Sequence, residues 1–261
     1  PITTFGYQTV FKGGDTLYTN LGVTFYQGTD MFVSRLSSDG GVLLASTFIG
    51  GSGNDGLNIA PRLKFNYADE VRGEIDIDRN NNIYIASSTK STDFPIINGF
   101  QNTLTGNQEG CIVKMDNQLT SIIWSSYLGG ERDDAIYSLA LDDIDNIYVT
   151  GGTNSVNFPT TANTYLTNYQ DSIRADAFIS KISYNGTHVL SSSYYGTAEY
   201  DQSYFVELGS KVNVGQTICI LEAMKLMNEI ESEFNAEIIE ILVENGTPVE
   251  FGQVLMRVKQ A

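Results

Sequence analysis

The residues with the sharpest chemical promise are Glu222-Ala-Met-Lys-Leu-Met-Asn228. Apolar Thr217-Ile-Cys-Ile-Leu221 precedes them and Glu229-Ile-Glu-Ser-Glu233 follows. That pattern predicts two strands with Lys225 at the turn of a β-hairpin. A primary amine held out from the body is open to a modifying enzyme, and a group joined to it can swing without steric hindrance. Met224 and Met227 flank the lysine with soft, adaptable apolar surface suited to docking, and Ala223 adds a small neighbour. The plainer reading is an exposed hairpin lysine with no further chemistry. The long, ordered context on both sides favours a modifiable one.

The other candidates carry less. His188 is the single histidine and has no nucleophile motif near it, so a two-histidine metal site cannot be built. Cys111 and Cys219 are far apart and lack a CxxC spacing; both read as small buried hydrophobes. Asp76-Ile-Asp-Arg-Asn-Asn-Asn82 has the oxygen-rich spacing of a calcium loop but lacks its Gly and closing Glu, so a polar hairpin turn is favoured. Asn185-Gly-Thr187 and Asn245-Gly-Thr247 read as Asn-Gly turns rather than glycosylation sites. Trp124 follows two isoleucines and is expected in a core.

Two regions of different texture must position these residues. Up to about residue 203, Tyr, Thr, Ser, Ile and Val alternate between Gly, Asn and Asp punctuation, which predicts an all-β region. From about residue 204, Tyr drops out and Glu accumulates. The 261-residue chain carries 15 Lys and Arg against 31 Asp and Glu, a net charge of −16. Such an acidic chain presents no broad basic face, which argues against nucleic acid or an anionic membrane as partner. No apolar run is long enough to span a bilayer. The start at Pro1 shows no basic and apolar leader, so either a signal was removed or the chain is a piece of something longer.

The first region repeats itself. Ser46-Thr-Phe-Ile-Gly-Gly is echoed by Ser125-Ser-Tyr-Leu-Gly-Gly and, more weakly, by Ser192-Ser-Tyr-Tyr-Gly-Thr. Asp78-Arg-Asn-Asn-Asn-Ile-Tyr-Ile matches Asp142-Asp-Ile-Asp-Asn-Ile-Tyr-Val, and Asp93-Phe-Pro matches Asn157-Phe-Pro. A fourth set is Asp30-Met-Phe-Val-Ser-Arg-Leu36, Gly110-Cys-Ile-Val-Lys-Met-Asp116 and Asp176-Ala-Phe-Ile-Ser-Lys-Ile182. Each unit holds about four short strands, the content of a propeller blade, with Lys64–Val71 as an insertion.

At these residues the chain resembles bacterial β-propeller repeats of the seven-bladed kind, common in large secreted or surface proteins. The resemblance covers about residues 1–203 and implies a fold without a reaction. Two to three units make a partial propeller with open ends.

The second region resembles the biotinyl domain of biotin carboxyl carrier proteins, especially those of bacterial acetyl-CoA carboxylase. It does so at Glu207-Leu-Gly-Ser-Lys-Val-Asn-Val-Gly-Gln216, at the lysine motif, and from Ile239 through Gln253. The resemblance implies a flattened β-barrel of two sheets and places the biotinylated lysine on Lys225, with Ala223, Met224 and Met227 around it. Lipoyl domains share that fold but usually set the lysine between Asp and Ala. Three departures stand out: Ala236 where the family has Gly, Val254 where it has Pro, and no clear first strand. Ser191–Thr197 is the candidate for that strand but reads equally as propeller repeat, so the 204–261 domain is expected to recruit residues 188–199.

Together the two resemblances imply an all-β chain, a partial propeller followed by a carrier domain. A biotin ligase would join biotin to Lys225. A biotin carboxylase would load it, and a carboxyltransferase would pass the carboxylate to an acceptor such as acetyl-CoA, in fatty acid biosynthesis. The chain itself would be a non-catalytic component holding no metal. The rival expectation is a secreted or surface propeller that binds an unknown ligand, with the biotinyl domain as a fused handle. The carrier half implies the cytoplasm and the propeller half the exterior.

Overall fold

The computed structural model describes residues 1–19, 22–64, 67–170, 175–196, 206, 208–223, 226–243 and 247–260. The chain divides into two compact units, Pro1–Ala198 and Glu199–Ala261.

The first unit is built from consecutive antiparallel strands. β1 (Leu17–Tyr18) and β2 (Thr24–Phe25) form a small hairpin, and β3 (Met31–Leu36) pairs with β4 (Leu43–Ile49). β5 (Glu74–Ile77), β6 (Ile83–Thr89), β7 (Glu109–Met115) and β8 (Ile122–Leu128) form a four-stranded meander. β9 (Asp134–Leu141), β10 (Ile147–Thr153), β11 (Asp176–Ile182) and β12 (Val189–Tyr195) form another. These are two whole blades and half of a third. The segment read as an insertion holds a short 3-10 turn, Tyr67–Val71, and Lys64 reaches Glu70 at 2.7 Å.

Period-two alternation explains the packing. In β6, Ile83 and Ile85 enter one core with Val33, Ala45 and Ile49 of the β3–β4 sheet. Tyr84 and Ala86, one residue out of step, enter another with Ile136, Val149 and Phe178 of the β9–β12 sheet. The middle strands β6 and β7 are therefore covered on both faces and wholly buried, while the edge strand β5 leaves Ile75 and Ile77 exposed. β11 alternates between a buried face and a more exposed one, whereas β12 buries Ser192, Ser193 and Tyr194 in succession and exposes Leu190, Ser191 and Tyr195. Trp124 is core, as expected: it is 2% exposed, its indole N–H donates to the Tyr184 carbonyl, and its ring meets Tyr84 edge-on at 6.3 Å. Gly186, at φ +71°, lies so close that a Cβ would sit 2.2 Å from the indole, so the Asn185-Gly turn requires glycine twice over.

The Asp/Asn runs are turns. Asp78 N–H donates to the Asn82 carbonyl and Asn81 takes φ +61°; Asp142, Asn146 and Asp145 repeat that arrangement.

The second unit holds β13 (Lys211–Val212), β14 (Thr217–Ala223), β15 (Leu226–Glu231), β16 (Ala236–Ile241) and β17 (Met256–Gln260). Among the described residues these form a three-stranded sheet ordered β13-β16-β17 and a separate β14–β15 hairpin, not a closed barrel. Val206, Val212, Ala236 and Ile238 make its small core, with Ile218, Phe234, Met256 and Val258 packed against it. Of residues 188–199, expected to be recruited as a first strand, Val189–Tyr195 form β12 and pair with β11 in the first unit, and 197–199 lie outside the described residues.

Candidate functional site

The lysine motif lies on the β14–β15 hairpin. Thr217 opposes Glu231 at its base, Leu221 opposes Asn228, Glu222 opposes Met227, and Ala223 opposes Leu226. The strands run closer to the turn than the apolar pattern predicts, and the chain between them is Met224-Lys225. Those two residues lie outside the described residues. Ala223 and Met227 are the last and second positions of their strands, next to the connection.

The base of the hairpin is tied down. Gly215, at φ +78°, donates its N–H to the Ser232 carbonyl, and Ser232 N–H donates to the Gln216 carbonyl. Val214 N–H donates to Asn235 Oδ1, and Ser232 Oγ donates to the Phe234 carbonyl. Ile218 anchors β14 on the small core. From Thr217 to Ala223 the strand covers about 20 Å at roughly 3.3 Å per residue. These ties gather at the Thr217–Glu231 end of the hairpin, and the Ala223–Leu226 pair is at the other. Cys219 is only half-buried, contrary to the expectation of a buried hydrophobe; a bulge between Thr217 and Cys219 shifts the register there.

The first unit holds polar features that the motifs did not announce. Asp55 Oδ2 accepts from Gly51 N–H (2.8 Å) and Ser91 Oγ (2.8 Å), and Thr89 Oγ1 donates to Oδ1. Asp134 Oδ2 accepts from Gly130 N–H (2.7 Å) and Ser155 Oγ (2.9 Å) in the same pattern one blade on. Burial pushes the two carboxyls up, to about 6 for Asp55 and about 7 for Asp134, against donors that pull them down. Each latch fastens the Gly-Gly loop leaving one sheet to the sheet that follows. The signal was present: an Asp lies four residues after the second Gly of each copy. A second repeated device joins Lys114 to Asp78 at 3.0 Å with its Nζ 4.7 Å from the Tyr84 ring centre, and Lys181 to Asp142 at 3.1 Å with its Nζ 4.8 Å from Tyr148.

These carboxylates are structural. Asp78 spends both oxygens on Asn80 N–H, Asn82 N–H, Asn82 Nδ2 and Lys114, which leaves a polar turn in place of a calcium loop. Among the described residues no group of three or more His, Cys, Asp or Glu side chains could hold a metal. Among them, too, no helix is long and apolar enough to cross a membrane. His188 Nδ1 lies 2.7 Å from Thr187 Oγ1 in an exposed turn. Cys111 is fully buried, and burial raises its thiol well above the usual range.

Comparison with known proteins shows the same division. Residues 189–258 match a family described as "Biotin-requiring enzyme", and residues 73–95 and 123–159 match "Beta-propeller repeat". The first match begins at Val189, inside the strand that hydrogen-bonds to β11. Among curated proteins, the chain is 52% identical over 67 residues to the biotin carboxyl carrier protein of acetyl-CoA carboxylase from Nostoc sp., covering 26% of this chain and 37% of that one. It is 44% identical over 89 residues to the same-named protein of Porphyra purpurea, covering 33% and 57%. Against that of Pseudomonas aeruginosa it is 48% identical over 66 residues, covering 25% and 42%. The chain thus spans less than two thirds of the length of these relatives. It joins β-propeller repeats to a C-terminal segment similar to the biotin carboxyl carrier proteins.

Proposed function

We propose that this chain is a biotin carrier, with Lys225 as the attachment residue and Ala223, Met224 and Met227 as its recognition surroundings. The observation that carries the reading is the hairpin register. Ala223 opposite Leu226 leaves a two-residue connection holding a primary amine, the nucleophile that an amide link to biotin's carboxyl requires. Bound biotin supplies a ureido nitrogen able to carry carboxylate. The chain's own part is mechanical. The tied base fixes the hairpin to the small core, and the remote turn presents the amine to a ligase. Tethering then raises the effective concentration of the carried group at each partner.

By the same reading the partners are a biotin ligase, a biotin carboxylase and a carboxyltransferase, and the chain performs no catalysis itself. The domain division runs along the same line, with repeats over about 1–203 and the carrier over 204–261.

The test is direct. The full chain is incubated with a biotin ligase, biotin and ATP, and its peptides are weighed. One biotin is expected, on the peptide containing Lys225, and none on Lys225→Arg, which keeps the charge but cannot form the amide. A chain that stays unmodified while a known carrier in the same tube is fully modified, with its circular dichroism showing it folded, overturns the proposal.

A further inference from the structure

The two outer faces of the propeller unit are exposed, and each has a covered counterpart within the chain. On the β5–β8 sheet the covered face carries Tyr84 opposite Lys114, Ile112 opposite Ser126, and Gly110 opposite Leu128. On the β9–β12 sheet the outward face carries Tyr148 opposite Lys181, Ile179 opposite Ser193, and Ala177 opposite Tyr195. The registers correspond pair by pair, and the lysine-over-tyrosine contact recurs in both. The side chains differ at one pair, Gly110 and Leu128 against Ala177 and Tyr195, and coverage differs throughout. Tyr84, Ile112 and Leu128 are 0% exposed, whereas Tyr148, Ile179 and Tyr195 are 36%, 51% and 68% exposed.

The surface that covers the first of these faces is also duplicated. It includes Phe178 opposite Tyr194 and Ser180 opposite Ser192, with the two serine hydroxyls 2.7 Å apart and Ile182 beyond. The β3–β4 sheet repeats that set on its outward side. Phe32 lies opposite Phe48, and Ser34 opposite Ser46 with hydroxyls 2.8 Å apart; Leu36 lies beyond. Phe32 and Leu36 are 69% and 55% exposed. The chain therefore displays one face of a known kind at one end of the unit, and the matching kind at the other.

We propose that copies of this chain associate head to tail, the β3–β4 face of one seating on the β9–β12 face of the next. The contact would repeat the packing between the β5–β8 and β9–β12 sheets. The occupant is a second copy because the chain itself supplies both complementary surfaces in matching register. Such a contact is heterologous, so it propagates as a ring or a filament instead of stopping at a symmetric dimer. The net charge of −16 opposes it at long range. Salt screens that repulsion over about 8 Å at physiological strength, which leaves contact between the apolar faces decisive.

The experiment is sedimentation velocity of the full chain at physiological salt over a wide range of concentration. The weight-average mass should rise at least twofold with concentration. Ile179→Asp and Phe32→Asp, both at exposed positions, should each stay monomeric alone. Mixed one to one, they should form a dimer and nothing larger, since each retains the face the other needs. Tyr195→Asp and Leu36→Asp form a second pair, used if either first variant loses the native circular dichroism melt. A wild-type chain that is monomeric throughout, a variant that still associates alone, or a mixture of folded variants that fails to pair overturns the proposal.

Discussion

The β5–β8 sheet and the β14–β15 hairpin are both antiparallel and both alternating, yet they dispose of their side chains in opposite ways. The sheet sends odd residues of β6 into one core and even residues into another, so both faces of its middle strands are spent on packing. The hairpin is held to the small core of Val206, Val212, Ala236 and Ile238 by Ile218 and by hydrogen bonds at its base. Its far end holds a connection of two residues. The first arrangement concentrates stabilisation, with each buried aliphatic or aromatic side chain worth about 1.5–3 kcal/mol. The second rests on a smaller core and, under the proposed function, its connection carries the amine to be modified. One strand pattern thus supports scaffold or site, depending on whether a second layer covers each face.

Substitutions can break that contrast. The largest effect is expected from Trp124→Ala, which removes the indole wedged between Tyr84 and the Gly186 turn. Chemical denaturation should show the first unit destabilised by about 3–5 kcal/mol. Biotin acceptance at Lys225 should be unchanged under conditions where the variant remains folded. Loss of labelling in step with that destabilisation would show that the two units are not independent in stability.

Ile238→Ala sharpens the comparison from the other side. Ile238 is 0% exposed in a core that, among the described residues, has four buried apolar members, and the truncation costs about 2–5 kcal/mol. For so small a unit that is a large share of its stability. Biotin acceptance should fall at 37 °C while the melting transition of the first unit stays in place. Full labelling of the variant would show that the hairpin needs no supporting core.

A smaller effect separates the units by pH. In the fold Asp134 titrates near 7, well above an ordinary Asp near 3.8, because burial disfavours its charge. The folded state then binds more protons than the unfolded one between those values. Stability from this group is greatest below about pH 4, declines as pH rises, and levels off above about pH 7. The slope is at most about 1.4 kcal/mol per pH unit. Asp134→Asn should flatten the decline in the first unit's melting temperature between pH 5 and 7. Asp142 works in a different window. Burial acts to raise it, but Asn146, Lys181 and backbone donors outweigh burial and bring it down to about 2, so its contribution is lost only below about pH 4. An unchanged pH profile in Asp134→Asn would remove the buried carboxyl as the cause.

Much of this was legible in the residues. The echoes at Asp78 and Asp142 gave the turns and the strands after them, and the Ser-Ser-Tyr-Leu-Gly-Gly copies gave the last strand of each sheet. Repeats are readable because each blade meets the same environment and solves it with the same side chains. Which face of a sheet is covered was not readable, since Ile112 and Ile179 occupy equivalent positions in equivalent strands and differ only in what lies beyond them. The latches at Asp55 and Asp134 were missed for a related reason. Their partners Ser91 and Ser155 are 36 and 21 residues away, and a carboxylate in a polar loop looks solvated until the loop is folded over it. At the proposed site, type and spacing singled out Lys225 with Ala223, Met224 and Met227, and the hairpin register sets the strand ends beside them. The tie from Val214 to Asn235 spans 21 residues and shows only once β13 and β16 are paired.

The strand order has a kinetic consequence. In each four-stranded sheet the neighbours in space are neighbours in sequence, β5-β6-β7-β8 and β9-β10-β11-β12. Every pairing can therefore form from chain already at hand, with no wait for a distant strand, although the loops over 90–108 and 154–175 are long ones to close. As the polypeptide leaves the ribosome, the β5–β8 sheet can complete itself and offer its Tyr84 face before β9 emerges. The next sheet then grows on a finished surface, and assembly runs in the direction of synthesis.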